Sequence, residues 1–452
     1  MAKFLPLLAA LVFAFFALSA PAAAQQSGPA AAPTATIDRH ELPPIGTPQG
    51  AFDPQKATAA YLAQVSGTAR ERSDAYFEGH DEVLPFVDAL YMIAICGLVL
   101  WFRVSAALRD FAVRQTRSRF WQASLYVGPM ILILAVATFP LTLYESFFRE
   151  KSYGLMNQTF LAWFKDQLIG LGLLLIIGLI ALTILYAIIR RAPRTWWVWC
   201  AAVAIGFSAF GTMIEPVVIA PLFNHYSPLP ESPLKTDILR IARGEGIPAD
   251  NVYLVDASRQ SDRISANVSG FMGTTRVTLN DNLLHKGTHD EVLAVLGHEM
   301  GHYVLDHALW GLVLGGLVIV LTFGFLQGAF GGLANLFGGN WDVREVSDPA
   351  GFPLLVALFT AFSLLMTPVN NWITRSAAIQ ADMFGINAVR KPDAFSSVVL
   401  KLANYRKLDP SPWEEFIFYD HPSGHTRIWE MMRWKAQHLD DPDIKAGPVS
   451  PQ

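Results

Sequence analysis

The chain reads as a mainly α-helical, polytopic membrane protein of about six spans, carrying a mixed α+β polar region. Three observations predict this. Of 452 residues, 52% are apolar and only 16% are charged, against about 25% charged in an ordinary soluble domain. Six long runs are uncharged or nearly so, and a membrane-spanning helix needs about 20 apolar residues. Two polar regions, 224–307 and 375–452, interrupt and follow those runs. With 34 basic and 38 acidic residues the formal net charge is −4, so there is no electrostatic footprint for a nucleic-acid partner. The two cysteines, Cys96 and Cys200, both lie in apolar runs, which excludes a disulfide framework or a thiolate metal cage.

In chain order, Met1 and Lys3 precede an apolar run, Phe4–Leu18, and a small-residue exit ending at Ala24. That pattern predicts a secretory signal peptide over 1–24, cleaved after Ala24, or an uncleaved anchor helix. Residues 25–83 begin rich in Ala, Pro and Gly and are expected to be a flexible N-terminal region. Four spans follow within 84–223: Asp88–Phe102 with its apolar lead-in, Gln122–Tyr144, Gln167–Ile189, and Thr195–Ile214 running on toward Phe223. Two more lie within 308–374, Ala308–Trp341 and Ala350–Thr374. Trp101, Trp121, Trp163, Trp196 and Trp197 stand at span ends, where an amphipathic ring suits the headgroup layer. Asp88, Glu145 and Glu215 sit in or beside spans, where ionisable groups are costly and face a cavity or an interface. Strands are expected at Asn251–Val255 and Thr275–Leu279. The segments after the first and third spans are Arg-rich (Arg103, Arg109, Arg114, Arg117, Arg119; Arg190, Arg191, Arg194), so that side is cytoplasmic and the polar insert lies opposite.

The chemistry concentrates in His298-Glu299-Met300-Gly301-His302. Residues i and i+4 of a helix lie about 40° apart on one face, so two imidazoles converge on one metal. Glu299 can then reach a metal-bound water as its base, at a metal that lowers the water's pKa toward about 7. A zinc site of this kind needs a third protein ligand. The position where a metzincin carries its third His holds Ala308. His307 would lie about 140° around a continuous helix from His302, pointing elsewhere. The remaining route is a carboxylate on a later helix with an Asp one turn on. The matching stretch is Arg375-Ser-Ala-Ala378-Ile-Gln-Ala-Asp382. Asp382 suits a carboxylate that orients a ligand His, but Ala378 stands at the ligand position.

The sequence resembles the CAAX prenyl endopeptidases, integral-membrane gluzincins. The likeness is carried by Leu143-Tyr144-Glu145-Ser146-Phe147 with Asn157-Gln158-Thr159 and by Ile219-Ala220-Pro221-Leu222-Phe223 through Pro228-Leu229-Pro230. Val292-Leu-Ala-Val-Leu-Gly-His298-Glu299, Gln380-Ala381-Asp382, and His421-Pro422 with Arg427 complete it. It covers all but roughly the first 80 residues. The resemblance implies a helical chamber around a zinc peptidase, with Zn2+ on His298 and His302, a Glu at position 378 as third ligand, and Glu299 as base. It implies that His421 stabilises the oxyanion of the tetrahedral intermediate and that Arg427 locks the C-terminal helix through a carboxylate such as Asp382. It also implies that Ser265, Ala266, Asn267, Val268 and Gly270 form an edge strand that pairs with an extended peptide. Two departures stand out. Ala378 replaces the Glu, which predicts an inactive or impaired chain, and Ser265 stands where the family has Asn.

Three function classes follow. The first is a membrane-embedded zinc endopeptidase acting on peptide or protein substrates at the lipid bilayer, expected in a bacterial inner membrane with its catalytic side periplasmic. The second is a pseudo-protease that binds membrane-protein segments without cutting them, for which Ala378 speaks. The third is a transporter, which the lack of internal repeats or paired broken helices argues against.

Overall fold

A computed structural model describes residues 52–270 and 275–444. The expected signal peptide, most of the Ala/Pro-rich stretch and the turn at 271–274 fall outside the described residues. The chain divides into two compact units. One holds residues 84–223 and 311–366; the other holds 52–83, 224–310 and 367–444.

Two short helices, α1 (Pro54–Leu62) and α2 (Gly67–Phe77), open the described chain. They correct the expectation of a flexible region reaching to residue 83. Asp53 caps α1 through Oδ1, which accepts from the Gln55 N–H at 2.9 Å, and Pro54 suits the first turn. Few apolar residues are needed to anchor them. Tyr61 is buried with its hydroxyl 2.8 Å from Asp393, and Tyr76 and Phe77 are buried beyond it.

The membrane unit contains α3 (Leu84–Trp101), α4 (Val104–Gln115), α5 (Arg119–Leu143), α6 (Phe160–Arg191) and α7 (Trp196–Ile214). Among the described residues six helical stretches are long and apolar enough to cross a membrane, matching the six expected spans. Their shared core includes Cys96, Tyr126, Met130, Ile131, Tyr186, Trp196 and Phe323. Not foreseen is α4, whose buried Arg109 reaches the Asp348 carboxylate (2.8 Å) and the Asp342 carboxylate (2.6 Å). An apolar-run search cannot see a helix held by charge. Trp101 and Trp121 are exposed as anticipated, but Trp163 and Trp196 are buried. Trp163 packs at tilted angles among Phe139, Phe147 and Phe160, and Trp196 packs edge-on against Phe323. Glu145 is buried beside Asp88 and Arg149 rather than open to lipid.

The polar unit is built on a four-stranded sheet: β1 (Tyr226–Pro228), β2 (Val252–Val255), β3 (Ala266–Ser269) and β4 (Arg276–Asn280), in spatial order β1-β2-β4-β3. Strands β2 and β4 are parallel, with Val252 opposite Val277; β1 and β3 run antiparallel to their neighbours. The two expected strands are β2 and β4. Strand β1 is too short to show a period. Around the sheet lie α8 (Pro233–Gly244), α9 (Asp281–Lys286) and α10 (His289–Val304). Helices α11 (His307–Trp341) and α12 (Phe352–Val389) are long, and the chain closes with α13 (Pro392–Lys401), α14 (Pro412–Phe418) and α15 (Gly424–Gln437). A second core of Tyr61, Ile386, Phe395, Ile428, Met431 and Met432 joins α1, α12, α13 and α15.

Candidate active site

Helix α10 begins at a reciprocal cap. The Glu291 N–H donates to Thr288 Oγ1 (3.4 Å) and the Thr288 N–H donates to Glu291 Oε2 (2.7 Å). Two orphan donors of the first turn are thereby satisfied, typically about 1 kcal/mol for such a cap. Glu291 also receives Lys401 Nζ (2.6 Å) and Ser397 Oγ (2.7 Å) from α13. Burial alone raises its pKa, but these donors hold the carboxyl below its ordinary 4.5. Val292, Leu293, Val295 and Leu296 are buried next, so the helix delivers His298 into the interior.

The seam between α10 and α12 is made of small residues. A methyl on Gly301 would meet the Ala381 backbone at 2.9 Å, and one on Gly385 would meet the His298 nitrogen at 2.7 Å. Only so close an approach lets Asp382 Oδ1 accept from His298 Nδ1 at 2.7 Å. Arg427 of α15 forks onto the same carboxylate, Nη2 to Oδ1 at 2.7 Å and Nε to Oδ2 at 3.1 Å, with its plane over Phe395. All three groups are buried. Burial raises the Asp382 carboxyl to about 7, and the bidentate guanidinium opposes that rise and favours the acceptor form. His298 therefore carries its proton on Nδ1 and presents the Nε2 lone pair.

His302 Nε2 lies 3.0 Å from His298 Nε2. Two nitrogens on one tetrahedral zinc, each about 2.0–2.1 Å from it, would be about 3.3 Å apart. Glu299 is buried, and its Oε1 has no hydrogen-bond partner among the described residues. Burial pushes this carboxyl well above its ordinary value and pushes both His298 and His302 down, as expected of charged forms removed from water. A neutral histidine pair, followed in sequence by a buried carboxyl without a partner among the described residues, is of the donor chemistry that suits a cation. The position to which the resemblance assigns a third ligand does not complete it. Ala378, one turn before Asp382 on α12, is fully buried and offers a methyl group. Among the described residues no three His, Cys, Asp or Glu side chains are grouped to hold a metal. The pair fits zinc; the complete set of three ligands does not.

His421 is buried on the segment between α14 and α15, with Nδ1 2.6 Å from Asp420. Burial holds its imidazole below the ordinary 6.5, with Asp420 working against that. What fixes that segment is Arg375, a residue to which the sequence reading gave no role. From α12 it donates to the carbonyls of Glu415 (2.8 Å), Phe416 (3.4 Å) and Tyr419. One turn earlier, Asn371 Nδ2 donates to the Ile417 carbonyl at 2.8 Å. The Asn-x-x-x-Arg spacing was the available signal, because it puts two donors on one helix face.

The residues expected to hold an extended peptide lie on β3, the outer strand beyond β4. Ser265 precedes it, its N–H donating to Asn280 Oδ1 (3.1 Å) and its carbonyl accepting the Asn280 N–H (2.9 Å). Ala266 is buried against Leu279 in register; Asn267 is exposed, and Val268 and Ser269 are half-buried. Gly270 has φ +113°, a conformation that side chains oppose, so the strand ends there. Strand β3 packs beside α10.

His307 corrects the sequence reading. Helix α10 does not continue past Val304. Asp306 takes φ +53°, a left-handed conformation that Asp tolerates, and α11 starts afresh at His307. The turn brings His307 Nδ1 to 3.0 Å from His302 Nδ1, where a continuous helix would have pointed it away.

Comparisons with known proteins show the family. Residues 60–225 match the profile described as CAAX prenyl protease N-terminal, five membrane helices, and residues 228–435 match peptidase family M48. An uncharacterized metalloprotease of Bacillus subtilis, YhfN, is 31% identical over 72% of this chain and 76% of its own length. A CAAX prenyl protease 1 homolog of Oryza sativa is 26% identical over 80% of this chain and 87% of its own. The crystal structure of S. mikatae Ste24p superposes with a TM-score of 0.63 at 21% identity, covering 83% of this chain and 97% of that one, a likeness of fold. A helix carrying a histidine pair, a carboxylate-oriented His298, six spans and these matches lead to one conclusion: the chain belongs to the CAAX prenyl protease group of peptidase family M48, the membrane metalloproteases.

Proposed function

We propose that this chain is a zinc endopeptidase for extended segments of membrane-associated or exported proteins, impaired at its third metal ligand. The observation that carries the reading is His298 Nε2 and His302 Nε2 facing each other at 3.0 Å, with the next residue along, Glu299, holding a buried Oε1 that has no hydrogen-bond partner among the described residues. Zinc, when bound, would supply Lewis acidity and an ionised water at neutral pH. The chain's own groups do the rest. Asp382 and Arg427 fix the tautomer of His298. Glu299, its carboxyl held proton-retaining by burial, receives and returns a proton once a cation offsets that burial. His421 faces the developing oxyanion. Strand β3, open on its outer side, pairs with substrate backbone, so Ser265 in place of Asn alters side-chain contacts and leaves the pairing intact.

Ala378 removes a ligand, where even the loss of a partner that only orients a ligand costs about 10–100-fold in metal affinity or activity. The test is hydrolysis of a quenched peptide library in detergent by this chain and by Ala378→Glu, with zinc content measured on both. Zinc and turnover gained in Ala378→Glu support the reading. Zinc gained without turnover favours the second reading, a peptide-binding pseudo-protease, for which Ala378 itself is the observation. The Arg-rich segments after the first and third spans support a bacterial inner-membrane protein with this site on the periplasmic side.

A further inference from the structure

His298 and His302 must both present Nε2 lone pairs toward one point if they are to share a metal, so each needs its proton on Nδ1. For His298 a carboxylate enforces this. For His302 no carboxylate or backbone carbonyl is bonded to Nδ1 among the described residues; the group there is another imidazole. His302 Nδ1 and His307 Nδ1 are 3.0 Å apart, and the far nitrogen of the second ring, His307 Nε2, lies 3.5 Å from Gln380 Oε1. The rings stand at 73° with centroids 4.9 Å apart, an edge-on rather than stacked contact.

We propose that His307 is the positioning residue of His302, the counterpart of Asp382 for His298, and that Gln380 sets its polarity. The chain of protons has only two consistent settings. If Gln380 offers its carbonyl oxygen, His307 carries its proton on Nε2 and accepts at Nδ1. His302 then donates from Nδ1, and its Nε2 is free to ligate. If Gln380 offers its amide group, each proton moves one place along and His302 Nε2 becomes a donor, unable to bind metal. The carbonyl oxygen is the Gln380 atom facing His307 here. Both settings need the break at Asp306, since a helix running through it would carry His307 out of reach. Gln380 lies between Ala378 and Asp382 on α12, so one helix sets the tautomer of both histidines, directly for His298 and through His307 for His302.

The inference rests on the metal-site reading above, and its test separates the two. In Ala378→Glu, zinc affinity is measured by chelator competition with His307→Ala, His307→Asp and Gln380→Glu added singly. In the metal-free chain, 15N-histidine spectra report the tautomer of His302, assigned with His302→Gln. The expected result is 10–100-fold weaker zinc binding for His307→Ala, the range found for lost ligand-orienting groups. His307→Asp, which restores an acceptor, should recover most of it, and Gln380→Glu, which cannot present an amide, should bind no worse than its parent. His302 should be protonated on Nδ1 in the metal-free chain and should lose that preference in His307→Ala. Zinc affinity within twofold of the parent in His307→Ala overturns the proposal. So does an equal loss in His307→Ala and His307→Asp, which marks a packing role. A His302 protonated on Nε2 overturns it whether or not zinc binds. Failure of Ala378→Glu to bind zinc, with the Nδ1 tautomer present, counts against the metal-site reading alone.

Discussion

Asp382 is the residue on which the site's order depends. Its carboxylate is buried and answered by one cation, Arg427, in two hydrogen bonds. Breaking a buried pair by removing one partner costs about 3–5 kcal/mol, because the remaining charge is left without compensation. Arg427→Met should therefore lower thermal stability by that amount, read in detergent by the unfolding midpoint. Asp382→Asn with Arg427→Met together should recover part of it. Glu291 gives a pH-dependent counterpart. Its folded-state pKa lies below the ordinary 4.5, so its stabilisation is complete above that value and is lost as pH falls through the lower folded value. Glu291→Gln should flatten that acid limb of the stability curve, and an unchanged acid limb would count against the Lys401 and Ser397 contacts.

Among the elements, the α10–α12 seam is the one with least tolerance. Gly385→Ala places a methyl 2.7 Å from the His298 nitrogen, and backbone does not yield as a flexible side chain does. Overpacking of this kind costs about 1–3 kcal/mol, and here it also stretches the His298–Asp382 bond, so weaker zinc binding in Ala378→Glu should accompany the lost stability. Arg375→Ala should release the three carbonyls at the end of α14 and loosen the His421 segment, seen as faster amide exchange over residues 419–423 with α10 unaffected. These elements also show what could be read in advance. The six spans were legible because lipid demands an unbroken apolar run. His298, Glu299 and His302 were legible because helix geometry fixes their convergence, and the family resemblance pointed to Asp382 as a partner for Arg427. Helix α4 escaped because Arg109 holds it by ion pairs. Helices α1 and α2 escaped because a cap and three aromatic residues suffice to anchor them. His307 was misplaced because nothing before Asp306 announces a break: no Gly or Pro stands there, and a left-handed Asp leaves no periodic trace.

At the scale of the whole molecule, the segments around the spans make a topological prediction. Cys96 and Cys200 are buried, so a cysteine at exposed Asp250 would be the reactive thiol in Asp250→Cys. A membrane-impermeant maleimide added to intact, outer-membrane-permeabilised cells should label it, and protection until lysis would place the catalytic side in the cytoplasm. The polar unit is also written in three instalments, residues 52–83, 224–310 and 367–444, with membrane spans between them. His298 is separated from Asp382 by 84 positions, and Asp382 from Arg427 by a further 45. During synthesis the histidine pair therefore leaves the ribosome long before the carboxylate that orients it, and the carboxylate before the guanidinium that steadies it. A partly made chain, or one cut short ahead of α15, holds the reactive helix without its support. Completion of the polypeptide is itself the step that orders the site, because the last of its three buried partners is also the last to be made.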